Sequence, residues 1–309
     1  MQQYDHAVSS AARRRTSAPA AIAFVVIAAS ALAGGCRRTS GAPAVASVTL
    51  TASAARAAVE SPIDFTLTFN VLPGAAIEGD YRVFVHVLDS SGQVLWNDDH
   101  EPPVPTSQWK AGQTIAYTRT EFVPQAAHPG PATVEVGLYR EGNRLPLQGA
   151  AGAPDNGSRA YRVGALDLTP ASDNIFLMYK NGWYPDEVAP TDPSLTWRWT
   201  QKSAALAFRN PRTDVTLWLQ YTARPDLFAG TPQQVVIWSG DKTVATFAAD
   251  SADTTLRRIA IDAADLGTAD MAEIRIDVDR TYTPSLIPGA GKDDRTLGLR
   301  VYHVHVQSR

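Results

Sequence analysis

The sequence predicts an all-β protein built from two β-sandwich domains, and three observations predict it. From residue 45 onward apolar and polar residues alternate with period two, the spacing that sends successive side chains to opposite faces of a strand. Clusters of Gly, Pro, Asn, Asp and Ser interrupt that alternation at short intervals, as turns between short strands do. No helical periodicity longer than a turn or two runs through residues 45–309. A chain of 309 residues, 44% hydrophobic and 19% charged, has the length and apolar content for two cores.

The elements follow in order. A first strand is expected at 46–53. In the next, Ile63, Phe65, Leu67, Phe69 and Val71 share one face, with Asp64, Thr66, Thr68 and Asn70 on the other. Tyr81, Val83, Val85 and Val87 alternate with Arg82, Phe84, His86 and Leu88, and Asp89-Ser90-Ser91-Gly92 then turns the chain into Gln93–Trp96. Further strands are expected at 114–123, 132–140 and 159–168, with a flexible loop at Ala150–Ser158. Seven or eight short strands in about 125 residues fit an immunoglobulin-like sandwich over 45–170. The boundary falls at Thr169-Pro170-Ala171-Ser172. Beyond it come strands at 195–199, 204–208, 215–221, 234–238, 244–248, 257–262, 273–279 and 297–306, with one short helical turn within 263–272. Eight strands over 171–309 fit a jelly roll. Five of the seven tryptophans lie in this second region.

Ahead of the sandwiches, Arg13, Arg14 and Arg15 precede a 14-residue apolar run, Ala20–Ala33. As a helix it would span about 21 Å, short of the roughly 30 Å hydrocarbon core, so it reads as a signal-peptide core and not a membrane span. The run ends in Leu32-Ala33-Gly34-Gly35-Cys36, which resembles a bacterial lipoprotein signal. That resemblance implies cleavage after residue 35, lipidation of Cys36 (palmitate among the acyl groups), a tether over 36–44, and attachment to the cell envelope. Arg37 stands where aspartate would retain such a protein at the inner membrane, so an outer-membrane address is implied in a Gram-negative host. The chain carries net charge −3, and without residues 1–35 it has 25 basic and 30 acidic side chains. Nucleic acid is therefore not expected as a partner. Cys36 is the sole cysteine, which excludes an internal disulfide framework and a cysteine-rich zinc site.

Two stretches resemble known modules. Tyr81–Asp89, Pro105–Gly112, Gly137-Leu138-Tyr139 and Arg144-Leu145-Pro146 resemble the soluble, extracytoplasmic β-sandwich modules of some bacterial membrane glycosyltransferases. Gly182–Glu187, Trp197-Arg198-Trp199 and Asp294–Leu299 resemble a galactose-binding-like module of the same proteins. The transferase's multi-span catalytic portion has no counterpart here, so the resemblance implies accessory domains and carries over no catalytic residue.

Asn97-Asp98-Asp99-His100 gathers metal-capable groups in what reads as a hairpin end, where solvated side chains are the expectation. His303 and His305 share a strand face, but a zinc site needs a third ligand; they are expected to be satisfied or solvent-exposed. Asp277-Val278-Asp279 reads as the polar face of an alternating strand. Asp294 and Arg295 read as an ion pair. No nucleophile elbow or phosphate loop occurs, and no cofactor is expected. Sugars present flat C–H faces to aromatic rings and hydroxyls to planar polar groups. Trp183, Tyr184, Arg198 and Trp199 are accordingly the candidate glycan-binding residues, with Trp183 and Tyr184 as exposed rings and Arg198 as a donor fork. Trp197 and Trp199 share a face and, as aromatics at strand spacing, are expected to be core in the first instance. The functional expectation is a lipid-anchored, non-catalytic envelope protein that binds glycan. The alternatives are a glycan-active hydrolase or esterase on a β-scaffold, and an assembly lipoprotein that binds another envelope protein.

Overall fold

The computed structural model describes residues 42–149 and 158–309. The signal segment, Cys36, the tether up to residue 41 and most of the Ala150–Ser158 loop lie outside the described residues. Residues 42–309 form one compact unit.

The alternating segments become strands where they were expected. The first ten are β1 (Ala46–Ala52), β2 (Arg56–Ala58), β3 (Pro62–Val71), β4 (Arg82–Asp89), β5 (Val94–His100), β6 (Thr114–Phe122), β7 (Gly130–Arg140), β8 (Asn143–Leu145), β9 (Leu147–Gln148) and β10 (Tyr161–Thr169). They make two sheets, ordered β6-β3-β1-β9 and β2-β10-β7-β4-β5, with β8 alongside β7. Phe65, Leu67 and Phe69 of β3 meet Val83, Val85, Val87, Val134, Val136 and Leu138 in one buried cluster. On the other side of β3, Thr66 and Thr118 join hydroxyls at 2.8 Å. Trp109 closes one end of this core: it packs on Phe69 and donates its indole N–H to the Val104 carbonyl at 2.9 Å.

The second ten are β11 (Leu177–Tyr179), β12 (Glu187–Ala189), β13 (Asp192–Trp199), β14 (Ser203–Arg209), β15 (Val215–Thr222), β16 (Gln233–Ser239), β17 (Lys242–Ala249), β18 (Thr255–Ile261), β19 (Met271–Val278) and β20 (Arg300–Ser308). Two five-stranded sheets result, β11-β14-β19-β16-β17 and β12-β13-β20-β15-β18. Leu206, Phe208, Leu217, Leu219, Ile274 and Ile276 fill the space between them. The expected helical turn is a 3₁₀ turn at Ala263–Leu266. The sheets of the two sandwiches part at Pro170, where a 3₁₀ turn over Ala171–Asp173 carries the chain across. Between β11 and β12 the chain turns at Gly182, with φ +83° and no room for a Cβ beside the Ser203 carbonyl.

Each sandwich has seams at the margins of its two sheets, and three seam positions, on the edge strands β6 and β18 and on β13 next to the edge strand β12, carry an inward-pointing arginine. Arg119 on β6 pairs in register with buried Phe65, Arg198 on β13 with buried Val301, and Arg257 on β18 with buried Leu219. Register partners share a sheet face, so all three side chains enter the sandwich at its margin. Charge on an edge strand discourages pairing with another chain.

The two sandwiches touch. Arg258 of β18 donates to Asp64 Oδ1 and to Thr120 Oγ1, each at 2.6 Å. Phe122 of β6 stacks on His303 of β20, with ring centroids 4.2 Å apart and planes 6° from parallel. Asn174 in the connection donates to the Val59 carbonyl at 2.7 Å.

Candidate functional site: an aromatic and arginine face on the second sandwich

The site begins with a register. Trp199 of β13 lies opposite Arg300 of β20, and Arg198 lies opposite Val301. Val301 is 3% exposed and belongs to the core, so Arg198 points inward while Trp197, Trp199 and Arg300 face outward. This corrects the expectation that the two tryptophans are core: Arg198 and Val301 occupy the inner positions, and both indoles sit half-buried on the outer surface.

On that surface the Arg300 guanidinium carbon lies 3.6 Å from the Trp197 ring centroid, 5.3 Å from Tyr302 and 5.9 Å from Trp199. Its Nε is buried without a hydrogen-bond partner, and among the described residues Arg300 has no carboxylate in ion-pair range. Rings, not acids, surround this cation. Trp197 is oriented by its indole N–H, which donates to Glu187 Oε2 at 3.1 Å. Trp199 meets Tyr282 edge-on at 6.0 Å, and Tyr282 meets Phe228 at 6.3 Å. Arg224 lies over Tyr282 and Arg280 over Phe228. Burial, partly offset by Arg224, pushes the Tyr282 hydroxyl up to about 12. The result is a strip of aromatic faces and guanidinium planes that offers stacking surface and N–H donors together.

Of the four sequence-derived candidates only Trp199 lies on this strip. Trp183 is packed against the core, with its indole N–H on the Ala205 carbonyl at 2.8 Å and its ring edge-on to Tyr179 at 4.9 Å. Tyr184 donates its hydroxyl to the Thr296 carbonyl at 3.1 Å, and Arg295 covers its ring at 5.0 Å. Arg198 forms an ion pair with Asp186 and lies 4.2 Å above the Tyr179 ring, so its fork is occupied. These two residues and Trp183 hold the loop and seam from which β13 runs. Arg295 pairs with Asp293 and Glu187, not with its neighbour Asp294. Asp277, as expected, lies on the outer face of β19, held by Ser203 and Arg275.

Residues 97–100 are not a loop end. They complete β5, and its register with β4 turns Asp98 and His100 into the first sandwich, with Asp99 outside. Both oxygens of Asp98 accept from Arg119, and His100 Nδ1 lies 3.0 Å from Asp98 Oδ2. His100 Nε2 is 2.8 Å from the Tyr117 hydroxyl, and Glu121 Oε1 is 3.7 Å from Arg119. Burial pushes the Glu121 carboxyl up to about 8, reinforced by the Asp98 charge. Burial also acts to raise Asp98, but hydrogen bonds from His100 and Arg119 outweigh it and hold that carboxyl low. The inward parity of Asp98 and His100 relative to Trp96 was the signal available for this cluster; its partners on β6 were not visible without the fold. Among the described residues no group of three or more potential ligands gathers around a metal-sized site.

His303 and His305 are not exposed, and neither side chain has a hydrogen-bond partner among the described residues. His303 is covered by Phe122, and His305 is 8% exposed. Burial lowers both imidazoles to about 4, so both are neutral at pH 7.

No family model matches the sequence, and no curated protein matches it. Among solved structures, a family 35 carbohydrate-binding module from an environmental isolate aligns at 8% identity and TM-score 0.29, over 44% of this chain and 94% of that one. A β-glucuronidase of Bacteroides uniformis aligns at 12% identity and TM-score 0.29, over 82% of this chain and 28% of the enzyme. The CBM51-2 and INT domains of Clostridium perfringens ZmpB align at 12% identity and TM-score 0.24, over 58% of this chain and 37% of that one.

Proposed function

We propose that this chain is an exported, lipid-anchored accessory protein of the bacterial cell envelope that binds glycan on the outer face of its second sandwich and performs no catalysis. The observation that carries the reading is the joint outward placement of Trp197, Trp199 and Arg300. A core would draw these indoles inward; on the surface they present flat apolar faces beside unpaired guanidinium donors. A sugar ring stacks its C–H face on such an indole and offers its hydroxyls to the adjacent N–H groups. The Leu32–Cys36 sequence supports the anchor. Acyl attachment confines the protein to a surface and raises its effective concentration toward glycan held there.

A glycan array followed by calorimetry tests the binding. Trp199→Ala and Trp197→Ala should each weaken binding tenfold or more while the circular dichroism spectrum is unchanged. Equal affinity in the folded variants, or indifference of the native protein to every saccharide, rejects the reading. The anchor is tested separately: Cys36→Ser should abolish palmitate labelling and move the protein from the membrane to the soluble fraction.

A further inference from the structure

Where the two sandwiches meet, they leave a cleft of about 610 Å³, lined further along the same outer sheet face as the Trp197–Trp199 strip but by none of the strip's residues. That volume lies within the range of roughly 300–1,000 Å³ typical of small-molecule sites. Its floor is the connection at Asp173 and Asn174, one wall is the Ser53–Asp64 stretch, and the other is Trp218, Arg258, His305 and Gln307. The walls are tied together by the Arg258 bonds to Asp64 and Thr120, by the Asn174 bond to Val59 and by the Phe122–His303 stack. The cleft is therefore preformed and does not need a ligand to assemble it.

One side chain in it has hydrogen-bonding capacity that no neighbouring residue uses. His305 is 8% exposed, lines the cleft, and has no hydrogen-bond partner among the described residues, while its ring nitrogens stay within reach of solvent. A neutral imidazole carries one donor and one acceptor. On the adjacent strand β15, Trp218 stands opposite His305 and donates its indole N–H to Gln307 Oε1 at 3.2 Å. That bond fixes the Gln307 amide and leaves its NH₂ group free to donate. On the walls Arg258 pairs with Asp64 and Arg56 with Asp167, while Asp173 on the floor is in no ion pair among the described residues. An anion would have to break a pair and face that carboxylate, whereas a neutral ligand has a donor and an acceptor waiting.

We propose that this interdomain cleft is a second binding site, which takes a neutral, hydroxyl-rich ring of one or two sugar residues, with His305 and Gln307 as its hydrogen-bonding partners. The class of ligand rests on the glycan reading above; the location does not.

The test uses the full chain with ¹⁵N-labelled histidine and tryptophan, titrated with glucose, galactose, mannose, N-acetylglucosamine, cellobiose and lactose, and with glucuronate and inorganic phosphate as anions. The His305 resonances are assigned by their loss in His305→Gln. At least one neutral saccharide should shift both His305 nitrogens. Gln307→Ala, an exposed position that leaves the core intact, should weaken that response tenfold or more, and Trp199→Ala should leave it unchanged. Saccharides that perturb the Trp199 indole but never His305 overturn the cleft site and spare the surface strip. A His305 response confined to glucuronate or phosphate overturns the neutral class. Silence of both regions overturns the cleft site together with the glycan reading.

Discussion

The seams of the two sandwiches bury an arginine at equivalent places and neutralise it in different ways. In the first, Arg119 meets a carboxylate: Asp98 takes both of its bonds, and His100, Tyr117 and Glu121 extend the network. In the second, Arg257 lies 5.0 Å over the Phe247 ring with a single long bond to the Ala248 carbonyl, and Arg198 lies over Tyr179 beside the more exposed Asp186. Both solutions blunt an edge. The first is directional, desolvated and titratable. The second, at Arg257, is diffuse and has no carboxylate in ion-pair range among the described residues. An ion pair that is buried must be complete to be tolerated, because each member left alone is a charge without solvent. An aromatic ring asks less of geometry.

The largest effect should come from breaking the charged seam. Asp98, whose side chain is 9% exposed, leaves Arg119 with only the longer contact to Glu121 and His100 with only Tyr117 when it is removed. With Arg119 keeping 37% of its side chain in solvent, Asp98→Ala should cost about 1.5–3 kcal/mol in urea unfolding. A loss below about 1 kcal/mol would mean that water replaces the carboxylate and that the seam is not closed by charge.

Next in size is the response to pH, which should separate the first sandwich from the interface. Glu121 has its carboxyl raised from 4.5 to about 8. The unfolded chain therefore releases that proton while the folded chain holds it. The associated stability is complete below pH 4.5 and is lost as pH rises toward 8. His303 and His305 are lowered from 6.5 to about 4. The unfolded chain binds protons that the folded one excludes, so their contribution is complete above pH 6.5 and is lost as pH falls toward 4. Melting temperatures followed from pH 4 to 9 should fall on both sides of a maximum. Glu121→Gln should flatten the alkaline limb alone, and a limb that survives this change would remove Glu121 as its cause.

The smallest effect should be found in the ring-covered seam. Phe247→Leu keeps the apolar bulk but removes the quadrupole beneath Arg257, for a loss of about 0.5–1 kcal/mol with no change in pH profile. A loss as large as that of Asp98→Ala would erase the distinction between the two seams.

The strand pattern was legible residue by residue: Phe65, Leu67 and Phe69 inward, Thr66 and Thr68 outward, and likewise Ile274 and Ile276 against Arg275 and Asp277. The strands missed, such as Arg56–Ala58 and Glu187–Ala189, are three residues long, too short for alternation to register. The candidate site was legible in part. Trp199 was picked out beside Arg198 because the two adjoin in a short motif, but adjacency on a strand means opposite faces, and only one of them could reach the surface.

Residue 300 shows where local pattern ends. Alternation along β20 would set Arg300 and His303 on opposite faces. A bulge against β15, where Gln220 pairs with His303 but Tyr221 pairs with Val301, inserts one extra residue and returns both to the outer face. Alternation is a property of neighbouring residues, so the chain by itself determined its strands and its two cores. Which edge faces which, where a bulge resets parity, and what two sandwiches enclose between them depend on pairings between residues far apart in sequence. Those were decided only when the sheets assembled, because register is set by the partner strand and not by the strand alone.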